Sequence, residues 1–285
     1  MNEAPTTPTV IRSPEEMTTW SDQQRAAGRR IAFVPTLGGL HDGHRSLLEE
    51  GHRRGDRLVL SVFLNPTQFG PKEDLAKYPQ ELEADLAIAG RAGTDVCFAP
   101  TRAQMYPPGF QTEVQVKEIS QGLCDDLRPG HFAGVATVVT KLFTIVRPHL
   151  AVFGEKDFQQ LALVRRLSTD LNLGVEIIPM PTVREPDGLA MSTRNRYLSP
   201  TDRERALSLS RALQAAREAA VAGERDVAAL VAKARAILDP AVDKLDYVEI
   251  RNADTLAPME RLDVPGVILV AAFVGTTRLI DNMRL

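Results

Sequence analysis

Two histidines three residues apart, His41 and His44, lie in the segment Pro35-Thr36-Leu37-Gly38-Gly39-Leu40-His41-Asp42-Gly43-His44. The apolar run Ile31-Ala32-Phe33-Val34 precedes it and reads as a buried strand, and the spacing around Leu47 and Leu48 predicts a helix over 43–53. The histidines therefore fall where a strand hands over to a helix. Backbone N–H groups without helical partners and the positive end of the helix dipole gather at such a junction and favour an anion. A spacing of three puts both imidazoles on one side of the first turn. Gly38, Gly39 and Gly43 permit close backbone approach. Paired imidazoles beside a glycine-lined anion site point to chemistry on a nucleoside triphosphate.

Three further segments carry polar groups at comparable places. Gly154-Glu155-Lys156-Asp157-Phe158-Gln159-Gln160 follows a strand-like run ending at Phe153. Lys156 can set a point charge on a phosphate, Asp157 can equally be a helix N-cap, and Gln160 can present an amide to a substrate. Met191-Ser192-Thr193-Arg194-Asn195-Arg196 follows Asp187-Gly188 and reads as a mobile loop. Its hydroxyls and guanidinium suit polyphosphate oxygens, and a capped loop with solvated arginines explains it as well. Asn65-Pro66-Thr67-Gln68-Phe69 brings two amides over the end of the second strand, although Asn-Pro alone also makes a turn. Arg128-Pro129-Gly130-His131-Phe132 is another loop with a cation and an imidazole, and His149, beside Pro148, reads as structural.

These segments need a frame. Strand-like runs at 31–34, 58–64, 95–99, 150–153 and 175–178 alternate with helical ones at 43–53, 80–92, 135–146 and 158–171. Alternation of this kind predicts an α/β, Rossmann-like, doubly wound parallel sheet, with ligands at the carboxyl ends of the strands. The pattern changes near Val183. Two Ala-rich helices, 203–219 and 226–238, then precede strand candidates at 247–250, 267–273 and 277–280. We expect residues 1–182 to form the nucleotide-binding domain and 183–285 a smaller α+β lid domain, joined across 179–186.

With 285 residues, 44% hydrophobic and 25% charged, the chain can bury one large or two modest cores. A net charge of −3 argues against nucleic acid as a partner. Cys97 and Cys124 fit no common zinc spacing or disulfide framework, so a reducing compartment such as the cytoplasm is expected. The first eight residues read as a frayed polar tail, and no apolar run is long enough to cross a membrane. Phosphate loops of the Gly-x4-Gly-Lys type, Gly-x-Gly-x-x-Gly, His-Glu-x-x-His and Gly-x-Ser-x-Gly are all missing.

The histidine pair together with the later Met191-Ser192-Thr193-Arg194 loop resembles the nucleotidylyltransferase superfamily. More narrowly, Pro35 to Gly38, Phe63 to Phe69, Arg128 to Phe132, Phe153 to Gln160 and Asp187 to Asn195 are similar, in order from about Val10 onward, to the pantothenate synthetase (pantoate–β-alanine ligase) family. The resemblance implies ATP-dependent condensation of pantoate with β-alanine through a pantoyl adenylate, giving pantothenate, AMP and pyrophosphate. It implies an ATP site at Leu37, Gly38, Gly39, Leu40, His41, Asp42, Gly43, His44, Gly154, Glu155, Lys156, Asp157, Val183, Met191, Ser192, Thr193 and Arg194. Gln68, Gln160 and Asn65 would hold the substrate, and His41, His44, Lys156 and Arg194 would carry catalysis, with His44 as proton donor. Magnesium, a homodimer and a cytoplasmic location are also implied. No metal-ligand set is assigned, and Asp85 is a candidate magnesium contact.

Three positions depart from the family pattern: Leu37 stands for Met, Thr193 for Ser and Cys124 for Glu. Leu keeps the volume of Met, and Thr keeps the hydroxyl but is stiffer about χ1. The rival readings are an adenylyltransferase acting on another small acid or on a phosphate acceptor, a catalytically idle nucleotide-binding protein, and a synthetase-like RNA enzyme.

Overall fold

The computed structural model describes residues 7–71 and 73–285. Most of the expected polar tail lies outside those residues, and Pro8, at its end, is buried. The chain divides into two compact units, Met1–Lys117 with Arg128–Glu155 and Leu163–Met180, and Glu118–Leu127 with Lys156–Ala162 and Pro181–Leu285.

The first unit is built on six parallel strands, β1 (Thr9–Ile11), β2 (Ile31–Thr36), β3 (Arg57–Val62), β4 (Val96–Phe98), β5 (Leu150–Gly154) and β6 (Glu176–Met180), in the order β1-β4-β3-β2-β5-β6. The chain walks from β2 through β3 to β4, then returns to place β5 on the other side of β2. Strand order therefore reverses between β2 and β5, whose Ala32 and Phe33 pair with Leu150 and Ala151. A crevice for a ligand opens beyond the carboxyl ends of strands at such a switch point.

Helices pack on both faces because side chains alternate along each strand. Ala32, Val34, Leu58, Leu60, Leu150 and Val152 share one core with Leu48 of α2 (Asp42–Arg54) and Ala89 of α3 (Leu82–Arg91). Leu58, Leu60 and Leu150 are fully buried, each contributing about 1.5–3 kcal/mol. Phe33 points to the opposite face and meets Phe143 of α6 (His131–Val146) edge-on at 6.2 Å. There α1 (Pro14–Ala26) joins α6, with Thr18 Oγ1 donating to the Ile145 carbonyl at 3.2 Å. β1 and α1 carry little signal in the sequence. Only Ile11 of β1 is buried, and α1 buries just Met17 and Ser21, so neither shows a periodic apolar stripe. Ser13-Pro14-Glu15-Glu16 did carry a start signal: Ser13 Oγ accepts the Glu16 N–H, and Pro14 opens the helix. The short helices α4 (Arg102–Met105) and α5 (Cys124–Leu127) were also not expected.

In the second unit, an antiparallel sheet of β7 (Lys244–Asn252), β8 (Gly266–Val274) and β9 (Thr277–Arg284) packs against α8 (Pro200–Val221) and α9 (Val227–Leu238). Two segments from earlier in the chain belong to this unit. Leu123, Phe158 and Ala162 are buried in one cluster with Ala253, Leu256, Val267 and Leu269. Phe158 and Ala162 lie on α7 (Phe158–Asp170).

One close approach sets the geometry near the end of β3. A Cβ on Gly134 of α6 would lie 2.4 Å from the Thr67 carbonyl oxygen and 2.8 Å from the Gln68 nitrogen. Gly134→Ala is therefore expected to push backbone against backbone and destabilise the protein by about 1–3 kcal/mol. A denaturant midpoint equal to that of the parent would contradict this packing.

Candidate active site

The turn from β2 into α2 is built around two left-handed residues, Gly38 (φ +93°) and Gly39 (φ +65°). A side chain at Gly38 would meet Val62 Cγ1 at 3.1 Å and Asp85 Oδ2 at 3.2 Å. The turn exposes N–H groups that no helix or strand partner satisfies. Asp85, on α3 and 2% exposed, takes two of them: Gly39 N–H donates to Oδ2 at 3.0 Å and Leu40 N–H to Oδ1 at 2.7 Å. Two expectations are corrected here. Asp85 is a buried clamp rather than an open magnesium contact, and the backbone N–H groups at Gly39 and Leu40 are engaged by the protein.

His41 is the N-cap of α2. Its Nδ1 accepts the Gly43 N–H at 3.1 Å, while its own N–H donates to Nδ1 of His44 at 3.3 Å. The rings stack obliquely, with centroids 4.1 Å apart. A backbone N–H can only donate, so both Nδ1 atoms use their lone pairs. Hydrogen bonding therefore assigns the proton of each neutral ring to Nε2. The reciprocal cap turns two imidazoles into a pair of Nε2–H donors.

At the end of β3, Pro66–Gln68 form one 3₁₀ turn. Asn65 is fully buried, and both ends of its amide are engaged. Nδ2 donates to Gln68 Oε1 at 3.0 Å and to the Gly134 carbonyl at 3.2 Å, and Oδ1 accepts from Thr67 at 2.9 Å and Tyr106 at 2.8 Å. Gln68 is buried with its amide oxygen held by Asn65. The Arg128–His131 loop backs this turn, and Arg128 forks onto Glu73 with two contacts of 2.5 Å. Burial pulls the Glu73 carboxyl upward, but the guanidinium outweighs burial and holds it below its ordinary value.

His149 is structural. Its Nδ1 accepts the Ile31 N–H at 3.0 Å, at the start of β2. Burial, and secondarily the charges of Arg25 and Arg30, push its pKa down.

In the second unit, the Lys156 carbonyl accepts from Asn282 Nδ2 of β9 at 2.8 Å, and Lys156 Nζ lies 3.7 Å from Asp157. Gln160 is half-buried on α7. Its neighbour Gln159, to which the sequence reading gave no role, is buried and gathers a whole loop. Nε2 donates to the carbonyls of Ile119, Ser120 and Gly122, and Oε1 accepts the Cys124 N–H. Nothing local in the sequence marks that role, because the partners lie 35 to 40 residues earlier.

The segment expected to be a mobile loop, 191–196, closes a tight hairpin at Met191 and then forms a 3₁₀ helix, Thr193–Tyr197. Met191 N–H donates to Val183 O at 2.9 Å and Glu185 N–H to Leu189 O at 2.8 Å. Arg184 forks onto the buried Asp281 at 2.7 and 2.9 Å, and Arg203 bridges Glu185 and Asp187 at 2.6 Å each. Asn195 Nδ2 ties the hairpin to the following turn through Glu185 and the Ala190 carbonyl. Ser192 Oγ accepts the Arg194 N–H at 3.3 Å, Thr193 is buried, and Arg194 is half-buried.

Of the expected ATP residues, Leu37–His44, Gly154 and Glu155 thus belong to the first unit, with Asn65 and Gln68. Lys156, Asp157, Gln160, Val183 and Met191–Arg194 belong to the second. Among the described residues no group of three or more His, Cys, Asp or Glu side chains could hold a metal ion, and no helix is long and apolar enough to cross a membrane.

Comparison with known proteins decides the family. A profile described as "Pantoate-beta-alanine ligase" matches residues 9–284. The chain belongs to the pantoate–β-alanine ligase family. The pantothenate synthetase of Myxococcus xanthus is 54% identical over 281 residues, covering 98% of this chain and 96% of the relative. The crystal structure of pantothenate synthetase from Thermus thermophilus is 44% identical with a TM-score of 0.90, over 96% of this chain and 98% of that one. The pantoate–β-alanine ligase of Francisella tularensis, solved in complex with β,γ ATP and β-alanine, is 32% identical with a TM-score of 0.79, over 97% of each chain. The family fold agrees with the parallel sheet and small antiparallel sheet described above.

The clamp on the glycine turn is open to direct measurement. Asp85→Asn sets an NH2 group against one of the two backbone N–H donors in a buried site. Stability should fall by about 2–3 kcal/mol, and KM for ATP should rise. A variant with parental stability and parental KM for ATP would contradict the clamp.

Proposed function

We propose that the protein condenses pantoate with β-alanine in an ATP-dependent, AMP-forming reaction. The observation that carries the reading is the reciprocal His41–His44 cap at the switch point, which leaves the proton of each neutral ring on Nε2, where it can serve a phosphate. Family membership supports the choice of acid and amine. The ATP and β-alanine held by the Francisella relative support both substrates.

A pantoate carboxylate oxygen attacks the α-phosphorus of ATP, the bond from that phosphorus to the bridging oxygen breaks, and pyrophosphate leaves. A carboxylate is already a nucleophile at neutral pH, so the protein contributes positioning and charge stabilisation. His41 and His44 offer Nε2–H groups to phosphate oxygens, and His44 serves the charge that develops on pyrophosphate, in keeping with the donor role the family implies. Lys156 adds a point charge, Arg194 a planar fork, and Ser192 a hydroxyl. Gly154, Glu155, Asp157 and Val183 line the nucleotide, while Gln68, with Asn65 behind it, and Gln160 hold pantoate. The amine of β-alanine then attacks the carbonyl of the pantoyl adenylate. AMP leaves and the amine loses a proton, giving the amide. Magnesium, which the resemblance implies, would supply positive charge to the ATP phosphates, and no residue of this chain is assigned to hold it. We take the protein to act as a homodimer in the cytoplasm, as the resemblance implies.

Incubation with ATP, magnesium, pantoate and β-alanine should yield pantothenate and AMP in equal amounts. Pyrophosphate exchange into ATP should require pantoate. Exchange without pantoate, or with another acid in its place, would favour the adenylyltransferase reading. His44→Ala and Lys156→Ala should each lower kcat by about 10²–10³, as removal of other electrostatic donors does. A loss under about fivefold in either variant would remove that residue from the mechanism.

A further inference from the structure

The 3₁₀ turn that carries Gln68 is held from behind by a one-directional chain of donors. Arg128 forks onto Glu73, and the same guanidinium donates to the Gln68 carbonyl oxygen at 3.1 Å. His131 Nδ1 lies 2.8 Å from that carbonyl, and its Nε2 lies 3.1 Å from Arg128 Nη1. A carbonyl oxygen can only accept, so His131 carries its proton on Nδ1. Its Nε2 is then a lone pair, and that lone pair accepts from Arg128, which can only donate. Glu73 orients Arg128, Arg128 fixes the tautomer of His131, and both donate to one oxygen. The chain is shielded: Arg128 and Glu73 side chains are 13% and 24% exposed, and His131 is buried. Hydrogen bonds to charged groups in such a setting are strong and polarise one another.

Gln68 is thus gripped at two points. Its backbone carbonyl is held by Arg128 and His131, and its side-chain oxygen by Asn65. The end of the amide left to meet a ligand is the NH2 group, and its direction is set by these bonds. We propose that Glu73, Arg128 and His131 are positioning residues that set pantoate affinity through Gln68. The proposal rests on the reading of Gln68 as a pantoate ligand. None of the three need touch the substrate. Their effect should appear in the binding of the hydroxy acid and not in that of the nucleotide, which a general loss of structure would not produce.

The test is steady-state kinetics on the full-length protein, varying pantoate at saturating ATP and then ATP at saturating pantoate. His131→Leu removes the donor to Gln68, and Glu73→Gln keeps the shape but removes the carboxylate charge that pairs with Arg128. Each should raise KM for pantoate by about tenfold and leave KM for ATP within about twofold of the parent. His131→Asn places an amide NH2 near the former Nδ1–H and should return KM for pantoate to within about threefold of the parent. The parental KM for ATP serves as the check that each variant is folded. An unchanged KM for pantoate in His131→Leu, failure of His131→Asn to recover, or equal rises in both KM values would overturn the relay. A parent protein with no pantoate-dependent turnover would instead overturn the underlying reading of Gln68.

Discussion

The structure turns on how β2 becomes α2. Five residues, 37–41, separate the strand from the helix, and the turn between them leaves backbone N–H groups facing inward. Left unpaired in the interior, each would cost about 1–3 kcal/mol. Asp85 answers two of them with one carboxylate, from 46 residues away in the chain. Burying that charge is itself costly, and it is tolerable because both oxygens accept short bonds from backbone donors. With the turn fixed, His41 can cap α2, and with His41 fixed, His44 is locked in the same tautomer. The direction of both Nε2–H groups follows from a carboxylate on another helix.

The same logic recurs at three further places. Gln68 is held by Asn65 and by the Arg128–His131 loop, and the backbone at Lys156 by Asn282. The hairpin before Met191 is held by ion pairs from Arg184 and Arg203. In each case a buried or half-buried polar partner from a distant part of the chain fixes a group that would otherwise sample several conformations. Positioning of this kind suits a reaction in which the nucleophile needs no activation and the barrier falls through orientation and fixed dipoles.

Much of the frame was legible in the sequence. The runs at 31–34 and 150–153 lie inside β2 and β5, and the expected parallel sheet and smaller α+β unit are both present, the latter with an antiparallel sheet. These elements are long, apolar and periodic, so local pattern reports them. What escaped was of two kinds. Elements with little buried surface, β1 and α1, give no periodic signal, and only the capping residues at Ser13 and Pro14 announce the helix. Long-range polar pairing gives no local signal at all. Asp85 reads as a candidate magnesium contact, Gln159 carries no assigned role, and 191–196 reads as a mobile loop, although it follows a hairpin whose ion pairs reach Arg203 and Asp281 and forms a 3₁₀ helix at Thr193–Tyr197. Residues 118–127 and 156–162 belong to the second unit for a similar reason, since Leu123 and Phe158 pack against strand β8 residues more than 100 positions later.

The most direct test of the account is a crystal structure of the protein with pantoate and a non-hydrolysable ATP analogue. The account predicts Nε2 of His41 and His44, Nζ of Lys156 and the guanidinium of Arg194 all within hydrogen-bond reach of one triphosphate. A triphosphate bound by the histidine pair alone, with Lys156 and Arg194 directed elsewhere, would contradict it.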